Sequence, residues 1–421
     1  MADTMMLFED HHVNRLLPLV YFRPVYDLRC GMNTLREKIQ RSYANATMAL
    51  HCRGSLAALL RIRYPGLQVN ELSAQRCLLV NGRLLADDRL AQVIPLAGND
   101  TVYTKNGSVV AARVSGKHLD QLIPALSRVL SLDDFSGLTQ QEVDVTLIRF
   151  PWELVSNNGE QIAADIAHTA GWTVSNRIRG TVYDGAFLMN RESIYIDEGA
   201  TVKPGTVLDA EGGPIYIGRN AKVFPNATIE GPAYVGDGSL IKIGAKIYEN
   251  TSIGEMCKVG GEVEESIIHS YSNKQHDGFL GHAYLGMWVN LGADTNNSDL
   301  KNNYSTVRVI LNGEEVDTGS MFVGLIMGDH SKSGINTMFN TGTVVGAGCN
   351  VFGGGYPPKY IPSFCWGGSE SLTTYKVDRC IEVAKRVMAR RKQTMSSVEE
   401  SLFRSLFEST ADLRRDLGIT G

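Results

Sequence analysis

A chain of 421 residues is long enough for two or three domains, each with its own core. The 41 basic and 45 acidic residues give a formal net charge of -4 without a long run of one sign, which argues against a nucleic-acid or membrane-surface partner. The opening stretch MADTMMLFEDHH lacks the pattern of a signal peptide, and no apolar run approaches the ~18 residues of a membrane span. We therefore expect a cytoplasmic protein without a nucleic-acid or membrane partner.

Cysteine and glycine usage narrows the class further. The seven cysteines are scattered and form no CxxC pair, which favours free thiols in a reducing compartment over disulfides or a zinc site. The 43 glycines are concentrated after residue 199 without a collagen period, which indicates a structure with many tight turns.

The first 190 residues alternate between strand and helix patterns. Apolar runs at 77–80 and 143–148 predict strands, and segments 33–43, 117–130 and 159–169 predict helices. This alternation is typical of an α/β domain with a largely parallel sheet.

A six-residue period begins after this region. An aliphatic residue recurs at Ile217, Val223, Ile229, Val235, Ile241, Ile247, Ile253 and Val259. Four residues after each lies a small, β-branched or otherwise compact residue: Ala221, Ala227, Ala233, Ser239, Ala245, Thr251, Cys257 and Val263. A helix would repeat at 3.6 residues and a half-buried strand at two, so neither explains the period. A short strand plus a tight turn, repeated as three sides of a triangular coil, does explain it.

The period extends beyond these eight positions and is interrupted. It begins at Ile196, Val202 and Leu208, slips by three residues across DAEGGP, and returns at Phe279, Leu285 and Leu291 and at Phe339, Val345 and Val351. Two interruptions, at 264–278 and 297–320, read as insertions at the corners of the coil, where a binding face is commonly built.

The segment from 373 to 417 contains neither proline nor glycine and has apolar residues at helical spacing. We predict two helices, with Ser396 and Glu399 forming a capping box at the start of the second. Their expected role is to cap the open end of the coil.

The stretches GHAYLGMWVNLGADTNNSDLKNN and EVDTGSMFVGLIMGDHSKSGIN, which lie in the later part of the coil, resemble a known arrangement. They are similar, in order, to segments of two-domain proteins that join a sugar-1-phosphate nucleotidyltransferase domain to a left-handed β-helix acetyltransferase. The chain thus resembles the sugar nucleotidyltransferase family of the bifunctional N-acetylglucosamine-1-phosphate uridyltransferase type, over nearly its whole length.

The N-terminal stretch LFEDHHVNRLLPLVYFRPVYDLR resembles the start of the family's nucleotidyltransferase domain. The resemblance implies that Arg15 and Arg23 bind nucleotide or phosphate. Two departures stand out: no glycine lies between Phe8 and Arg15, and Arg83 stands where the family has a metal-binding aspartate. Magnesium needs oxygen ligands, so Mg²⁺ is expected only if this domain is active, with Asp87 or Asp88 as substitutes.

The chemistry implied for the coil is acyl transfer, which needs a base, oxyanion donors and a slot for the acyl carrier. By resemblance His282 is the general base, and Tyr284 beside it orients or contacts substrate. Backbone N–H groups of Gly286, Gly292 and Gly346 are candidate oxyanion donors. A covalent route through cysteine is not favoured.

Further substrate contacts are expected around this histidine. They are Asp299, Lys301, Lys332 and His276. Asp299 stands where the family often has asparagine, so the acceptor may differ from the family's. No resident metal is expected, although a zinc site that uses His276 and His282 is an alternative; His330 is either a contact or a solvated turn residue.

We therefore predict an α/β nucleotidyltransferase-like domain with degenerate motifs at 1–185, a left-handed parallel β-helix of hexapeptide repeats at 190–365, and a helical cap at 370–421. The implied function is transfer of an acyl group, expected to be acetyl, from coenzyme A to a phosphorylated or nucleotide-linked sugar. One alternative is sugar-1-phosphate nucleotidyl transfer on a trimeric scaffold, and another is a non-catalytic sugar-nucleotide-binding assembly protein. The resemblance also implies a homotrimer, acetyl-CoA as co-substrate, and a sugar phosphate or nucleotide sugar as partner.

Overall fold

The computed structural model describes residues 4–169, 173 and 176–420. The N-terminal strands are β1 (Thr4–Phe8), β2 (Arg29–Cys30), β3 (Asn33–Thr34), β4 (Thr47–Leu50), β5 (Gln68–Val69), β6 (Arg76–Asn81), β7 (Leu84–Leu85), β8 (Thr101–Lys105), β9 (Ser108–Ser115), β10 (Thr139–Glu142) and β11 (Thr146–Leu147). The helices are α1 (Leu35–Ser42), α2 (Gly54–Arg63), α3 (Leu90–Val93), α4 (Gly116–Leu122), α5 (Pro151–Ser156) and α6 (Asn158–Ala167), with 3-10 turns at His11–Leu16, Val25–Asp27, Ile123–Ser127 and Leu132–Phe135.

The N-terminal sheet has the strand order β10-β8-β9-β6-β1-β4-β5. Strands β1, β4, β5 and β6 pair in parallel and only β9 runs against its neighbours, which confirms the predicted α/β layer. The continuous strand predicted at 143–148 is wrong: only Thr146–Leu147 pairs, with β7, because β10 ends at Glu142.

The coil that follows is built from very short strands. They are β12 (Thr181–Val182), β13 (Phe187–Met189), β14 (Ile194–Ile196), β15 (Thr201–Val202), β16 (Val207–Asp209), β17 (Ile215–Ile217), β18 (Lys222–Val223), β19 (Thr228–Glu230), β20 (Ala233–Val235), β21 (Leu240–Ile241), β22 (Lys246–Ile247), β23 (Thr251–Ile253), β24 (Lys258–Val259), β25 (Glu262–Glu264), β26 (Ile267–Ile268), β27 (Asn273–Lys274), β28 (Phe279–Gly281), β29 (Tyr284–Leu285), β30 (Asn290–Leu291), β31 (Asn296–Asn297), β32 (Arg308–Leu311), β33 (Glu314–Asp317), β34 (Ile326–Met327), β35 (Lys332–Ser333), β36 (Met338–Phe339), β37 (Val344–Val345), β38 (Asn350–Val351), β39 (Tyr360–Ile361), β40 (Cys365–Gly367) and β41 (Leu372–Thr374).

These strands stack into three faces, as the six-residue period predicts. The first face has the order β12-β15-β18-β21-β24-β27-β30-β35-β38-β40-β41, the second β13-β16-β19-β22-β25-β28, and the third β14-β17-β20-β23-β26-β29-β34-β37-β39. The chain visits the faces in turn, so that each strand pairs in parallel with the strand one coil later. The left-handed parallel β-helix is therefore confirmed, whereas the exact domain limits remain a prediction.

The core of the coil consists of the residues that set the period. All eight aliphatic positions from Ile217 to Val259 are buried, and so are the eight residues that follow each of them by four. Burial of one such side chain stabilises a fold by about 1.5–3 kcal/mol, so the column as a whole fixes the register of strands only two or three residues long.

The first predicted interruption, at 264–278, is wrong. The coil continues through it with β26 and β27 in register with their neighbours. The aliphatic pattern breaks because Lys274 occupies an inward position and is 2% exposed. Its Nζ donates to the carbonyls of Gly260 at 3.0 Å and His276 at 2.9 Å, and burial lowers the pKa of Lys274 to about 8.

The second predicted interruption, at 297–320, is a true excursion from the coil. It contains the antiparallel hairpin of β32 and β33. Val307, Val309 and Leu311 are buried, so the hairpin packs against the protein rather than extending into solvent. The chain rejoins the third face at β34.

The C-terminal segment forms α7 (Val377–Ala389) and α8 (Ser397–Ser409), with the capping box at Ser396 and Glu399 as predicted. A third, short helix, α9 (Ala411–Asp416), was not expected. Ile419 belongs to the apolar core of the coil, in line with a capping role. The helices also bridge the domains: Phe403 of α8 contacts Phe22, with ring centroids 4.6 Å apart.

The N-terminal domain packs on the outer side of the third face. Side chains of the third face, including Ile267 and Ile326, lie in the same apolar cluster as the N-terminal core. The buried guanidinium of Arg23 pairs with both carboxylate oxygens of Asp329, and Arg29 pairs with Glu255 at 2.7 and 2.9 Å. The two domains therefore share one core and a set of buried charges.

We expect Arg23→Ala to lower the free energy of unfolding by about 3–5 kcal/mol, because it leaves the Asp329 carboxylate buried and unpaired. Urea denaturation followed by circular dichroism checks this value. The control is Arg89→Ala, which removes an exposed guanidinium paired with Asp87 and should change stability by less than ~0.5 kcal/mol. If the two variants unfold alike, the pair does not hold the domains together.

Candidate functional site

His282 lies at the corner where the chain passes from the second face to the third, between β28 and β29. Its φ of +46° is the left-handed conformation that a tight corner requires. Its N–H donates to the carbonyl of Glu264 at 3.2 Å, and its carbonyl accepts from Gly324 N–H at 2.9 Å. The backbone of this corner is therefore held by the coils on both sides.

The imidazole of His282 is hydrogen-bonded to Asp299 of the next coil. Its Nδ1 lies 2.8 Å from Asp299 Oδ2, and the side chains are 20% and 14% exposed. Asp299 is fixed through its own carbonyl, which accepts from Val323 N–H at 2.9 Å. Because a carboxylate only accepts, neutral His282 carries its proton on Nδ1 and leaves Nε2 as an acceptor. The aspartate that departs from the family pattern thus orients the predicted base.

The side chain of Asn297 braces the same corner. Its Oδ1 accepts from Gly281 N–H at 3.0 Å, and its Nδ2 donates to the Gly281 carbonyl at 2.9 Å. A Cβ on Gly281 would lie 2.4 Å from Asp299 Oδ2, so the close approach of Asp299 requires glycine.

An apolar wall borders the imidazole. The ring of Phe322 stacks on His282 with centroids 5.0 Å apart, and Phe322 is 40% exposed. Met321 and Tyr304 are also exposed on the excursion that follows Asp299. Burial raises the pKa of the nearby Glu264, an effect that His282 opposes and Asp299 reinforces. Phe322 and Glu264 were not singled out from the sequence, because only the coil geometry brings them to the histidine.

Two predicted contacts do not fit a substrate role in this chain. The hydroxyl of Tyr284 is buried between the domains, where it accepts from Arg29 N–H at 2.9 Å and donates to the Arg29 carbonyl at 3.1 Å. Lys332 lies on the first face, and its Nζ donates to the His330 carbonyl at 2.9 Å. His330 itself is buried against Phe22 and Phe403, so it is not a solvated turn residue.

The remaining two predicted contacts lie on the surface. Lys301 begins the excursion, and its Nζ donates to the carbonyl of Thr306. Burial and the neighbouring charge of Lys301 lower the pKa of Lys359, which places the two ammonium groups close together. His276 is exposed at the corner between the first and second faces, one corner away from His282. Within one chain, the two histidines therefore do not share a zinc site.

The glycine N–H groups proposed as oxyanion donors are already occupied. Those of Gly286 and Gly346 donate to the carbonyls of Met327 and Ile361 at 2.8 and 2.7 Å. That of Gly292 donates to Ser333 Oγ at 3.0 Å. These hydrogen bonds belong to the coil ladder and leave nothing for a substrate oxyanion.

In the N-terminal domain, Arg15 and Arg23 have different surroundings. Arg15 is exposed at a cavity of about 600 Å³, with its guanidinium 5.7 Å from the centre of the Phe150 ring. Arg23 is buried in the ion pair with Asp329, which corrects its expected role as a phosphate ligand.

The residues of this domain do not fit the magnesium ion that a nucleotidyltransferase would use. Arg83 pairs with Asp10 through Nε–Oδ1 at 3.0 Å and Nη2–Oδ2 at 2.6 Å. The proposed substitutes are also engaged, since Asp87 pairs with Arg89 and Asp88 with His168. Within residues 4–169, 173 and 176–420, no group of three or more His, Cys, Asp and Glu side chains is arranged to hold a metal.

The helices in the described part of the chain are all too short or too polar to cross a membrane.

The fold and the two sites define a protein with a sugar nucleotidyltransferase domain followed by a hexapeptide-repeat β-helix. Residues 5–171 match the model of the family described as "Sugar nucleotidyl transferase", so this part of the chain belongs to that family. The family expected from the sequence is thereby confirmed.

Curated relatives include proteins named "Bifunctional protein GlmU". That of Synechococcus elongatus is 28% identical over 199 residues, which cover 42% of this chain and 40% of the relative. That of Corynebacterium jeikeium is 30% identical over 217 residues, 45% of this chain and 43% of the relative. The chain thus spans about two fifths of these relatives. The similarity supports a transferase.

Solved structures with similarity include a UDP-N-acetylglucosamine acyltransferase from Campylobacter jejuni, at 15% identity and a TM-score of 0.21, covering 53% of this chain and 92% of that one. An Arabidopsis UDP-N-acetylglucosamine acyltransferase is 12% identical with a TM-score of 0.23, covering 56% of this chain and 90% of that one.

We expect neutral His282 to be protonated on Nδ1, because Asp299 accepts that proton, and Asp299→Ala to shift it toward Nε2 protonation. Long-range ¹H–¹⁵N correlation spectra of ¹⁵N-histidine-labelled protein distinguish the two forms. His118 is an internal control, since its Nδ1 lies 2.7 Å from Asp100 in the other domain and should not respond. An Nε2-protonated His282 in the unsubstituted protein would contradict the assignment.

Proposed function

We propose that the coil transfers an acyl group, most simply acetyl, from coenzyme A to an amino or hydroxyl group of a phosphorylated or nucleotide-linked sugar. The observation that carries this proposal is the 2.8 Å contact between His282 Nδ1 and Asp299 Oδ2 at an accessible corner of the β-helix. This arrangement supplies what acyl transfer from a thioester first needs, a base with a fixed tautomer.

In the proposed reaction, Nε2 of His282 removes a proton from the acceptor as it attacks the thioester carbonyl carbon. The tetrahedral intermediate collapses with loss of the coenzyme A thiolate, which takes the proton back from the imidazolium. Asp299 stabilises the imidazolium while it carries the extra proton. Proton transfer by a positioned base typically contributes about 10²–10⁴-fold to the rate.

Charges and apolar groups around the corner support the choice of substrates. Lys301 and Lys359 offer positive charge for a phosphate of the acceptor, while Phe322 offers an apolar surface beside the base. Acetyl-CoA would act as co-substrate, in a cytoplasmic enzyme of sugar-nucleotide biosynthesis.

A homotrimer is part of the same proposal. Ile243 and Ile335, 69% and 71% exposed, lie on the edge between the first and second faces, and a second copy could cover them. His276 lies on that edge too, so it would reach substrate from a neighbouring subunit rather than from the subunit that supplies His282.

The second candidate is sugar-1-phosphate nucleotidyl transfer by the N-terminal domain, with the coil as scaffold. The family match over residues 5–171 favours it. The Arg83–Asp10 pair disfavours it, because it takes up the carboxylate at the place where the family binds metal. A third candidate is a non-catalytic sugar-nucleotide-binding protein.

We expect His282→Ala to reduce coenzyme A release by about 10²–10⁴-fold across amino-sugar 1-phosphate acceptors, and Asp299→Asn to reduce kcat less. Thiol release from acetyl-CoA is the measurement, with pyrophosphate release from nucleoside triphosphates followed in parallel. The matched control is His118→Ala, which removes another aspartate-paired histidine outside the coil and should retain full activity.

Pyrophosphate release alone, unchanged in His282→Ala, would favour the second candidate. Binding of a sugar nucleotide without either release would favour the third.

A further inference from the structure

The cavity of about 600 Å³ in the N-terminal domain lies at one edge of the sheet. Strands β1, β6 and β8 run in the same direction, and the cavity is lined by residues that follow their carboxyl ends: His12 and Arg15 after β1, Arg83 after β6, and Lys105 at the end of β8. The carboxyl edge of such a sheet is a common place for ligands of α/β proteins.

The carboxylate beneath this cavity has no position left for a metal. Asp10 accepts two hydrogen bonds from Arg83, one from Asn81 Nδ2 at 2.8 Å and one from His12 N–H at 3.1 Å. A carboxylate has about four acceptor positions, and all four are used. Burial alone would raise the pKa of Asp10, but the Arg83 guanidinium outweighs it and the pKa is lowered.

The lining of the cavity is rich in cations. Arg15, Lys105 and Arg149 surround it, whereas Glu153 is the carboxylate among the lining residues and is held by Arg149 at 2.8–3.0 Å. Lys105 pairs with the fully exposed Asp144. Arg15 has no ion pair in the described part of the chain, and its guanidinium is placed only by the Phe150 ring.

We infer that this cavity binds the phosphate or diphosphate group of a small molecule without a divalent cation. Arg83 neutralises the carboxylate that would otherwise repel the anion, and Arg15 supplies the planar donors that suit a phosphate. The volume accommodates more than a single phosphate, so a sugar phosphate or nucleoside diphosphate is the expected class of ligand. This inference concerns the N-terminal domain and does not depend on the activity proposed for the coil.

Isothermal titration calorimetry of the full chain with inorganic pyrophosphate and with UDP tests the inference. Both probes should bind in excess EDTA, and excess magnesium chloride should leave the affinity unchanged or weaken it. Arg15→Ala should weaken binding about ten-fold or more, because it removes charge-assisted hydrogen bonds, and Arg15→Lys should recover part of the loss. The control is Arg89→Ala, an exposed arginine outside the cavity, which should bind as the unsubstituted protein does.

Tighter binding of UDP than of pyrophosphate would show that the nucleoside is held as well, and equal binding that the phosphates suffice; both outcomes agree with the inference. Binding that disappears in EDTA would overturn it, since a metal would then be required. Absence of binding by either probe, or equal losses in Arg15→Ala and Arg89→Ala, would overturn it too.

Discussion

The column of inward-facing aliphatic side chains inside the coil is the contact on which the rest of the structure depends. The strands are too short to hold a register through their own hydrogen bonds, so the side chains that meet in the core fix where each corner falls. That register brings His282 beside Asp299, which is 17 residues away in sequence and one coil further along. The candidate base and its partner are therefore a consequence of the repeat rather than of a local motif.

The features that the sequence could predict are those that depend on local pattern. The six-residue period identified the coil because each aliphatic residue reports its own burial, and Ser396 with Glu399 identified the start of α8 for a similar reason. The pattern failed at Lys274, where a charged residue takes an inward position. Its ammonium is satisfied by two backbone carbonyls, and no residue count along the chain reveals that compensation.

Contacts between the domains explain why other predicted site residues were misassigned. Arg23 and Tyr284 both match positions that the family resemblance links to ligands, yet both are buried where the third face meets the N-terminal domain. A sequence match records the residue type but not the partner, and these partners lie 255 or more positions away. Asp299 was misread in the opposite sense: a departure from the pattern that argued for altered chemistry turned out to orient the histidine.

The same reasoning separates the two halves of the molecule. In the N-terminal domain each carboxylate at the cavity is held by a guanidinium, Asp10 by Arg83 and Glu153 by Arg149, so that the available charge is positive and no oxygen ligands remain for a metal. At the corner of the coil the balance is reversed, because one carboxylate serves one imidazole and leaves Nε2 open. An anion-binding cavity and a general base need opposite electrostatic surroundings, and the rigid interface around Arg23 and Asp329 lets one chain maintain both.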